Sequence, residues 1–353
     1  MSISYKDSGV NIDAGNEVIE NIKNHVKSTF SKNVLTGIGG FGALFDIKEA
    51  LKDYEHPILT QSIDGVGTKL MIAQKMNKWD TVGIDIVSNC AGDIVVMGAK
   101  PLTFLDYVAH EKLDPTVMET IMTGMCKACK ESNISLIGGE TAEMPGTYMP
   151  GEHDIAGCIT GVVEKDKIIT GENIEIGDVV LGFASNGLHT NGYSLARKLF
   201  FEIEGCDVNT KMSELLARHS LQGDGGEKSV GETLLEPHTN YTNPILDMLD
   251  SGIEIKGMAH ITGGGLLENI PRILPDNCSV EIIKDSYPML PVFEVMQKIG
   301  DIEESEMYRT FNMGVGMVLI LDKLEADKIK EYNGFKIYEI GKVVEGEKKV
   351  NLI

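Results

Sequence analysis

Ser62-Ile63-Asp64-Gly65-Val66-Gly67-Thr68-Lys69 follows a short apolar run, Pro57 to Leu59, and precedes an amphipathic one, Leu70 to Met76. The first run reads as a buried strand and the second as a helix, so the stretch is a strand-to-helix turn. It sets a carboxylate, two glycines, a hydroxyl and a lysine at that turn. Glycines let backbone N–H groups approach an anion closely, and a helix N-terminus adds partial positive charge. Asp64 is placed to hold a metal and Lys69 to neutralise phosphate oxygens. This is not a Walker loop, which needs a longer spacer before its Gly-Lys-Ser/Thr. The competing reading is an ordinary glycine turn with a capping Thr.

Upstream, Gly37-Ile38-Gly39-Gly40-Phe41-Gly42 makes a loop able to fold over a ligand, or simply a flexible connection. Before it, a helix is expected from about Asn16 to Phe30, with Val18, Ile19, Ile22, Val26 and Phe30 on one side. Lys23 lies off that stripe, in solvent or pointing into a site. The preceding segment, Ser4 to Asp13, is polar and expected to be extended.

Downstream, Asp80 to Met97 reads as a helix buried along Val82, Ile86, Cys90, Ile94 and Met97. Asp85, Asn89 and Asp93 recur at i, i+4, i+8 and line another face. That face suits Mg²⁺ and polyphosphate, or else solvent. Leu102 to His110 is expected as a strand, and Asp114-Pro115 opens the next helix as N-cap and first residue. Cys126 and Cys129 lie inside that helix among apolar residues, so they read as core rather than as a zinc or redox pair. Ile134 to Ile137 is a short strand ending in Gly138-Gly139-Glu140-Thr141-Ala142-Glu143-Met144-Pro145-Gly146, whose two acids again suit a hard cation. Ile155 to Val163 reads as a strand returning to the same sheet.

The loop-like segment Glu164 to Asp178 marks a domain boundary, dividing the chain into 1–168 and 169–353. The second half opens with the strand Val179 to Ala184 and the turn Ser185-Asn186-Gly187-Leu188-His189-Thr190-Asn191-Gly192. That turn offers a phosphate site at a helix N-terminus, with His189 in it or serving as a cap. Ala259-His260-Ile261-Thr262-Gly263-Gly264-Gly265-Leu266 is a further strand–glycine–helix turn. Strands and helices alternate in both halves, which is an α/β or α+β pattern.

At 353 residues, two domains are the better expectation. The net charge of −21 argues against nucleic-acid binding, though not against a nucleotide held by metal and backbone N–H groups. With no bilayer-length apolar run and no signal-peptide core, a soluble cytoplasmic protein with no membrane contact is expected.

Together these segments resemble one family, aminoimidazole ribonucleotide synthetase, also called phosphoribosylformylglycinamidine cyclo-ligase. The matching stretches are Ser4-Tyr5-Lys6-Asp7 with Gly9-Val10, Gly39 to Ala43, Asp64 to Lys69, Gly138 to Gly146 and His189 to Ser194. They continue with His260 to Gly265, Glu268-Asn269-Ile270-Pro271-Arg272 and Met307-Tyr308-Arg309-Thr310-Phe311-Asn312. The Asp64–Lys69 motif is shared more widely; the Gly138–Gly146 and Met307–Asn312 segments point to the cyclo-ligase. The resemblance covers almost the whole chain. It implies a homodimer whose N-terminal mixed sheets join, a C-terminal sheet packed with helices, and use of ATP and Mg²⁺ on formylglycinamidine ribonucleotide in purine biosynthesis. It implies Asp64, Asp93, Glu140 and Glu143 as metal ligands. Lys23, Gly39, Gly40, Gly42, Gly65, Gly67, Thr68 and Lys69 would sit around the nucleotide. His189, Asn191 and Lys69 would stand near the reacting group, and Gly263, Gly264, Gly265 and Arg309 near the substrate.

Two departures stand out. Gly92 precedes Asp93 where the family often has Asn. The family's Pro-Thr-Arg/Lys-Ile-Tyr reads here as Pro237-His238-Thr239-Asn240-Tyr241, so a basic contact is missing unless a protonated His238 replaces it. The rival readings are sister enzymes, such as thiamin-phosphate kinase and hydrogenase-maturation proteins, or a nucleotide-binding scaffold without turnover. Selenophosphate synthetase is disfavoured, since no cysteine precedes Cys90.

Overall fold

The computed structural model describes residues 9–223, 226–329, 331–332 and 334–353; the Ser4–Asp7 match lies outside them. The chain divides into two compact units, one ending at Lys167 and the other running from Ile168 to Ile353, with Val96–Gly98 counted in the second.

The first unit is a four-stranded mixed sheet under helices. Its strands are β1 (Pro57–Gly65), β2 (Lys100–His110), β3 (Ser135–Glu143) and β4 (His153–Glu164), in the order β1-β4-β2-β3. β4 runs antiparallel to β1 and β2, and β2 runs parallel to β3. The helices are α1 (Ile12–Lys27), α2 (Ile47–Ala50), α3 (Leu70–Met76), α4 (Val82–Val95) and α5 (Pro115–Glu131). Helix α5 starts where expected: the Asp114 carboxylate accepts from the Thr116 and Val117 amides, and Pro115 takes a first-turn position with no N–H to satisfy. Cys126 and Cys129 are buried in it. Helices α4 and α5 cross glycine on glycine. A Cβ on Gly83 would fall 2.1 Å from the Ile121 carbonyl oxygen, and one on Gly124 would fall 3.4 Å from the Gly83 Cα.

One face of this sheet packs under α4; among the described residues no helix covers the other. Side chains alternate along a strand, so Ser62 and Asp64 turn inward while Leu59 and Ile63 turn outward. Ile63, Cys158 and Leu105 form one outward row. Leu59, Ile63 and Leu105 are 53%, 74% and 43% exposed.

Several boundaries differ from expectation. Helix α1 begins at Ile12 and ends at Lys27, with Ile19 exposed and Val18, Ile22 and Val26 buried. β1 continues through Asp64 and Gly65, and β3 through Glu143, because each pairs with a neighbour along that whole length. The polar face of α4 is not solvated: Asp85 and Asn89 are buried.

The second unit holds a seven-stranded sheet built from β5 (Val179–Ala184), β6 (Gly257–His260), β7 (Cys278–Ile282), β8 (Val315–Leu321), β9 (Glu331–Tyr332), β10 (Phe335–Glu345) and β11 (Val350–Leu352). Their order is β11-β7-β10-β5-β8-β6, with β9 beside β10. β5 and β8 pair with each other, and every residue of β8 is buried, as its uninterrupted apolar run demands. β7 and β11, which are short and weakly patterned, were not expected. Among the described residues, no helix is long and apolar enough to cross a membrane.

Candidate active site

In the first unit the acids lie along the seam between β1 and α4. Asn89 Nδ2 donates to Asp64 Oδ2 at 2.6 Å, and the Gly65 N–H donates to Asp64 Oδ1 at 2.7 Å. One helical turn on, Asp93 Oδ2 accepts from the Ser62 hydroxyl at 2.9 Å. Ser62 and Asp64 are about 7 Å apart along one strand face, and Asn89 and Asp93 about 6 Å apart on the helix. The two carboxylates are therefore neighbours, half-buried and oriented by hydrogen bonds. Among the described residues, no three His, Cys, Asp or Glu side chains converge as a ready-made metal cage. Two carboxylates still fit Mg²⁺, which keeps several waters and takes further oxygens from phosphates.

Other expected ligands lie elsewhere. Glu140 sits on β3, opposite Tyr107, in the row Gly65–Ala156–Tyr107–Glu140. That row faces the bare side of the sheet, and β3 is three interstrand spacings, roughly 14 Å, from β1. Within one chain Glu140 does not join Asp64 and Asp93, because the strand order puts β1 and β3 at opposite edges. Glu143 Oε2 accepts from the Asn11 N–H at 2.5 Å and its Oε1 from the Leu113 N–H at 2.9 Å, so it ties two chain segments together.

Lys69 also departs from expectation. Its side chain is fully buried and its ammonium is 2.9 Å from the Asp85 carboxylate, which is equally buried. From the short 3₁₀ turn Gly67–Lys69 the side chain runs to Asp85 on α4. Lys23 is half-exposed on α1, 3.4 Å from Glu20. The loop at Gly39, Gly40 and Gly42 stands open, with Phe41 fully exposed at its tip.

Sequence reasoning missed Asp106. It shares the inward row Asp64–Gly157–Asp106–Gly139, and a Cβ on Gly139 would fall 2.3 Å from its carboxylate. Burial pushes its carboxyl up to about 7. An acid at an inward position of an apolar strand was the available signal.

In the second unit, Asn312 pins the 185–192 turn. Its amide donates to the Gly187 carbonyl at 2.8 Å, and its Oδ1 accepts from the Ser185 hydroxyl at 3.0 Å. The turn runs from β5 into α6 (Tyr193–Arg197). His189 adopts φ 63°, which turns its ring inward to 1% exposure and leaves Thr190 and Asn191 half-exposed. Asn191 Oδ1 lies 3.5 Å from where a Gly263 Cβ would be, so this turn and the 262–265 turn adjoin. Asn269 holds the latter by donating to the Thr262, Gly263 and Gly265 carbonyls. Arg309 Nε donates to Glu268 Oε1 at 2.6 Å on the surface beside it. His238 is 2% exposed, so it does not present a basic group to solvent.

Both halves match models of AIR synthase related proteins, the N-terminal domain over residues 50–163 and the C-terminal domain over 175–352. Solved structures share the fold. Thiamine-monophosphate kinase from Stenotrophomonas maltophilia aligns with TM-score 0.65 at 17% identity, over 94% of this chain and 95% of that one. A hydrogenase maturation protein HypE in complex with ATP aligns with TM-score 0.66 at 15% identity, over 98% and 92%. The particular family follows from sequence: the chain belongs to the phosphoribosylformylglycinamidine cyclo-ligases. It is 50% identical to that enzyme of Syntrophotalea carbinolica, over 99% of this chain and 98% of the relative. It is 48% identical to that of Brevibacillus brevis, over 99% and 98%. The Alkaliphilus oremlandii enzyme is 45% identical over the full length of both.

Proposed function

We propose that this protein closes the imidazole ring of 5-aminoimidazole ribonucleotide from formylglycinamidine ribonucleotide, using ATP and releasing ADP and phosphate, in purine biosynthesis in the cytoplasm. The observation that carries this reading is the Asp64–Asp93 carboxylate pair beside a glycine turn, on a chain that matches cyclo-ligases end to end.

An amide oxygen is a poor leaving group. Transfer of the ATP γ-phosphoryl to the formyl oxygen makes it a good one; the amidine nitrogen then attacks, the five-membered ring closes and phosphate departs. The protein's contribution to such chemistry is positioning and charge stabilisation. Asp64 and Asp93 would hold Mg²⁺, which would neutralise phosphate charge. Backbone N–H groups of Gly67 and Thr68 meet phosphate oxygens, that of Gly65 only after leaving the Asp64 carboxylate, and the Gly39–Gly42 loop closes over the nucleotide with Lys23 nearby. Lys69 acts through Asp85, fixing the turn rather than touching phosphate. Glu143 accepts one N–H on each carboxylate oxygen and keeps a second lone pair on each for a metal. In the second unit, Asn191 and Gly263–Gly265 face the substrate, Arg309 contacts it after parting from Glu268, and His189 stands behind them.

The bare sheet face of the first unit fits a second copy of this chain, giving a homodimer. Exposed Leu59, Ile63 and Leu105 on one sheet face are costly to leave in water. Glu140 lies on that face, inside the proposed contact, and the sheet separates it from Asp64 of its own chain.

The test mixes the purified protein with MgATP, with and without formylglycinamidine ribonucleotide, following ADP and aminoimidazole together. Stoichiometric, substrate-dependent formation of both is expected. ADP without the imidazole would point instead to a sister enzyme with another phosphoryl acceptor, and nucleotide binding without turnover to a scaffold.

A further inference from the structure

The second unit buries three histidines against one another. His238 stacks on His189 with ring centroids 4.1 Å apart and planes 22° apart. His238 Nε2 lies 3.1 Å from His260 Nε2, and His238 Nδ1 lies 3.4 Å from the Thr190 hydroxyl. His189 Nε2 is 3.2 Å from Thr239 Oγ1. Exposures are 1%, 2% and 6% for His189, His238 and His260. β8 leaves room for the array: a Cβ on Gly316 would lie 2.4 Å from His189 Cε1.

A short contact between two imidazole nitrogens needs one proton between them, with one ring donating and the other accepting. In a neutral ring only one nitrogen carries hydrogen. If His238 donates from Nε2, its Nδ1 is an acceptor and takes the Thr190 O–H. If His260 donates, His238 carries its proton on Nδ1 and donates to Thr190 Oγ1. The roles at the two ends are locked together through one ring.

We propose that His238 is a positioning residue that couples the tautomer of His260 to the hydroxyl orientation of Thr190 and holds the ring of His189. It thereby links the 185–192 turn to the 260–265 turn through the one ring proton that His238 carries on either nitrogen. The geometry stands without the cyclo-ligase reading; only the meaning for substrate handling rests on it.

The test is ¹⁵N NMR of the histidine rings in the full-length protein at neutral pH without nucleotide. A nitrogen–nitrogen coupling across the His238–His260 contact is expected. In His238→Gln and His238→Thr, the ring nitrogens of His260 are expected to shift to a mixed-tautomer pattern. No coupling in the unaltered protein, or an unchanged His260 pattern in a folded variant, overturns the proposal. Two variants are used so that one unfolded protein does not decide the matter. Because no turnover is measured, failure of the cyclo-ligase assay leaves this result standing.

Discussion

Lys69→Met would remove the ammonium that lies 2.9 Å from the fully buried Asp85 carboxylate. Breaking such a pair costs about 3–5 kcal/mol, whereas replacing both partners by apolar groups is often neutral. We expect urea unfolding to show a large loss for Lys69→Met and recovery in Lys69→Met/Asp85→Leu. A phosphate-contacting Lys69 would instead lose nucleotide binding with little change in stability. A second prediction concerns pH. Burial lowers His110 from 6.5 to about 4, and His153, whose Nδ1 lies 2.5 Å from the His110 Nδ1, also lies below its ordinary value because of burial. The unfolded chain then binds protons that the native rings refuse, so stability is full above 6.5 and falls as pH drops toward 4. Asp106 works the other way: raised from 3.8 to about 7, it stabilises fully below 3.8, and that contribution is lost as pH rises through 7. Asp106→Asn should therefore steepen the rise of stability between pH 4 and 6.5, and His110→Asn should flatten or reverse it. Trp79, edge-on to His153 at 4.4 Å, serves as the fluorescent reporter. The residue types at Asp64 and Asp93 were legible from their neighbours. The direction of Lys69 was not, since a side chain one residue past a glycine turn points wherever the next helix admits it.

The seam between β1 and α4 depends on how closely α4 can lie on α5. Gly83→Ala would drive a methyl into the Ile121 carbonyl, 2.1 Å away, and this is backbone that cannot step aside. Overpacking of this kind costs roughly 1–3 kcal/mol. The shift also moves Asn89 and Asp93 away from β1. We expect Gly83→Ala to unfold at lower urea and to bind MgATP more weakly than the unaltered protein. Helix α4 itself was readable from its apolar period, as were β5, α3 and the start of α5. The ends of β1 and β3 were not: Asp64, Gly65 and Glu140 look like turn residues, and only pairing with β4 and β2 extends the strands through them.

For the whole molecule, the outward face of the first sheet carries the prediction of a dimer. Ile63→Glu places a charge in the exposed apolar row Ile63–Cys158–Leu105 and should convert a dimer to a monomer by sedimentation. If Glu140 serves the partner's Asp64 site, inactive Asp64→Asn and Glu140→Gln proteins should regain activity on mixing, to about a quarter of the unaltered level in a random mixture of symmetric dimers. No recovery would confine Glu140 to a structural part in its own chain.

By itself the sequence determined the α/β class, the family and the chemical types gathered at each glycine turn, because apolar period, turn glycines and motif order are local properties of the chain. Only the tertiary structure decided which of those groups meet. Strand order sends Glu140 to the far edge and opposite face from Asp64, helix packing draws Lys69 inward to Asp85, and a positive φ at His189 folds its ring onto His238. These are long-range consequences of sheet pairing and burial, which no window of sequence contains.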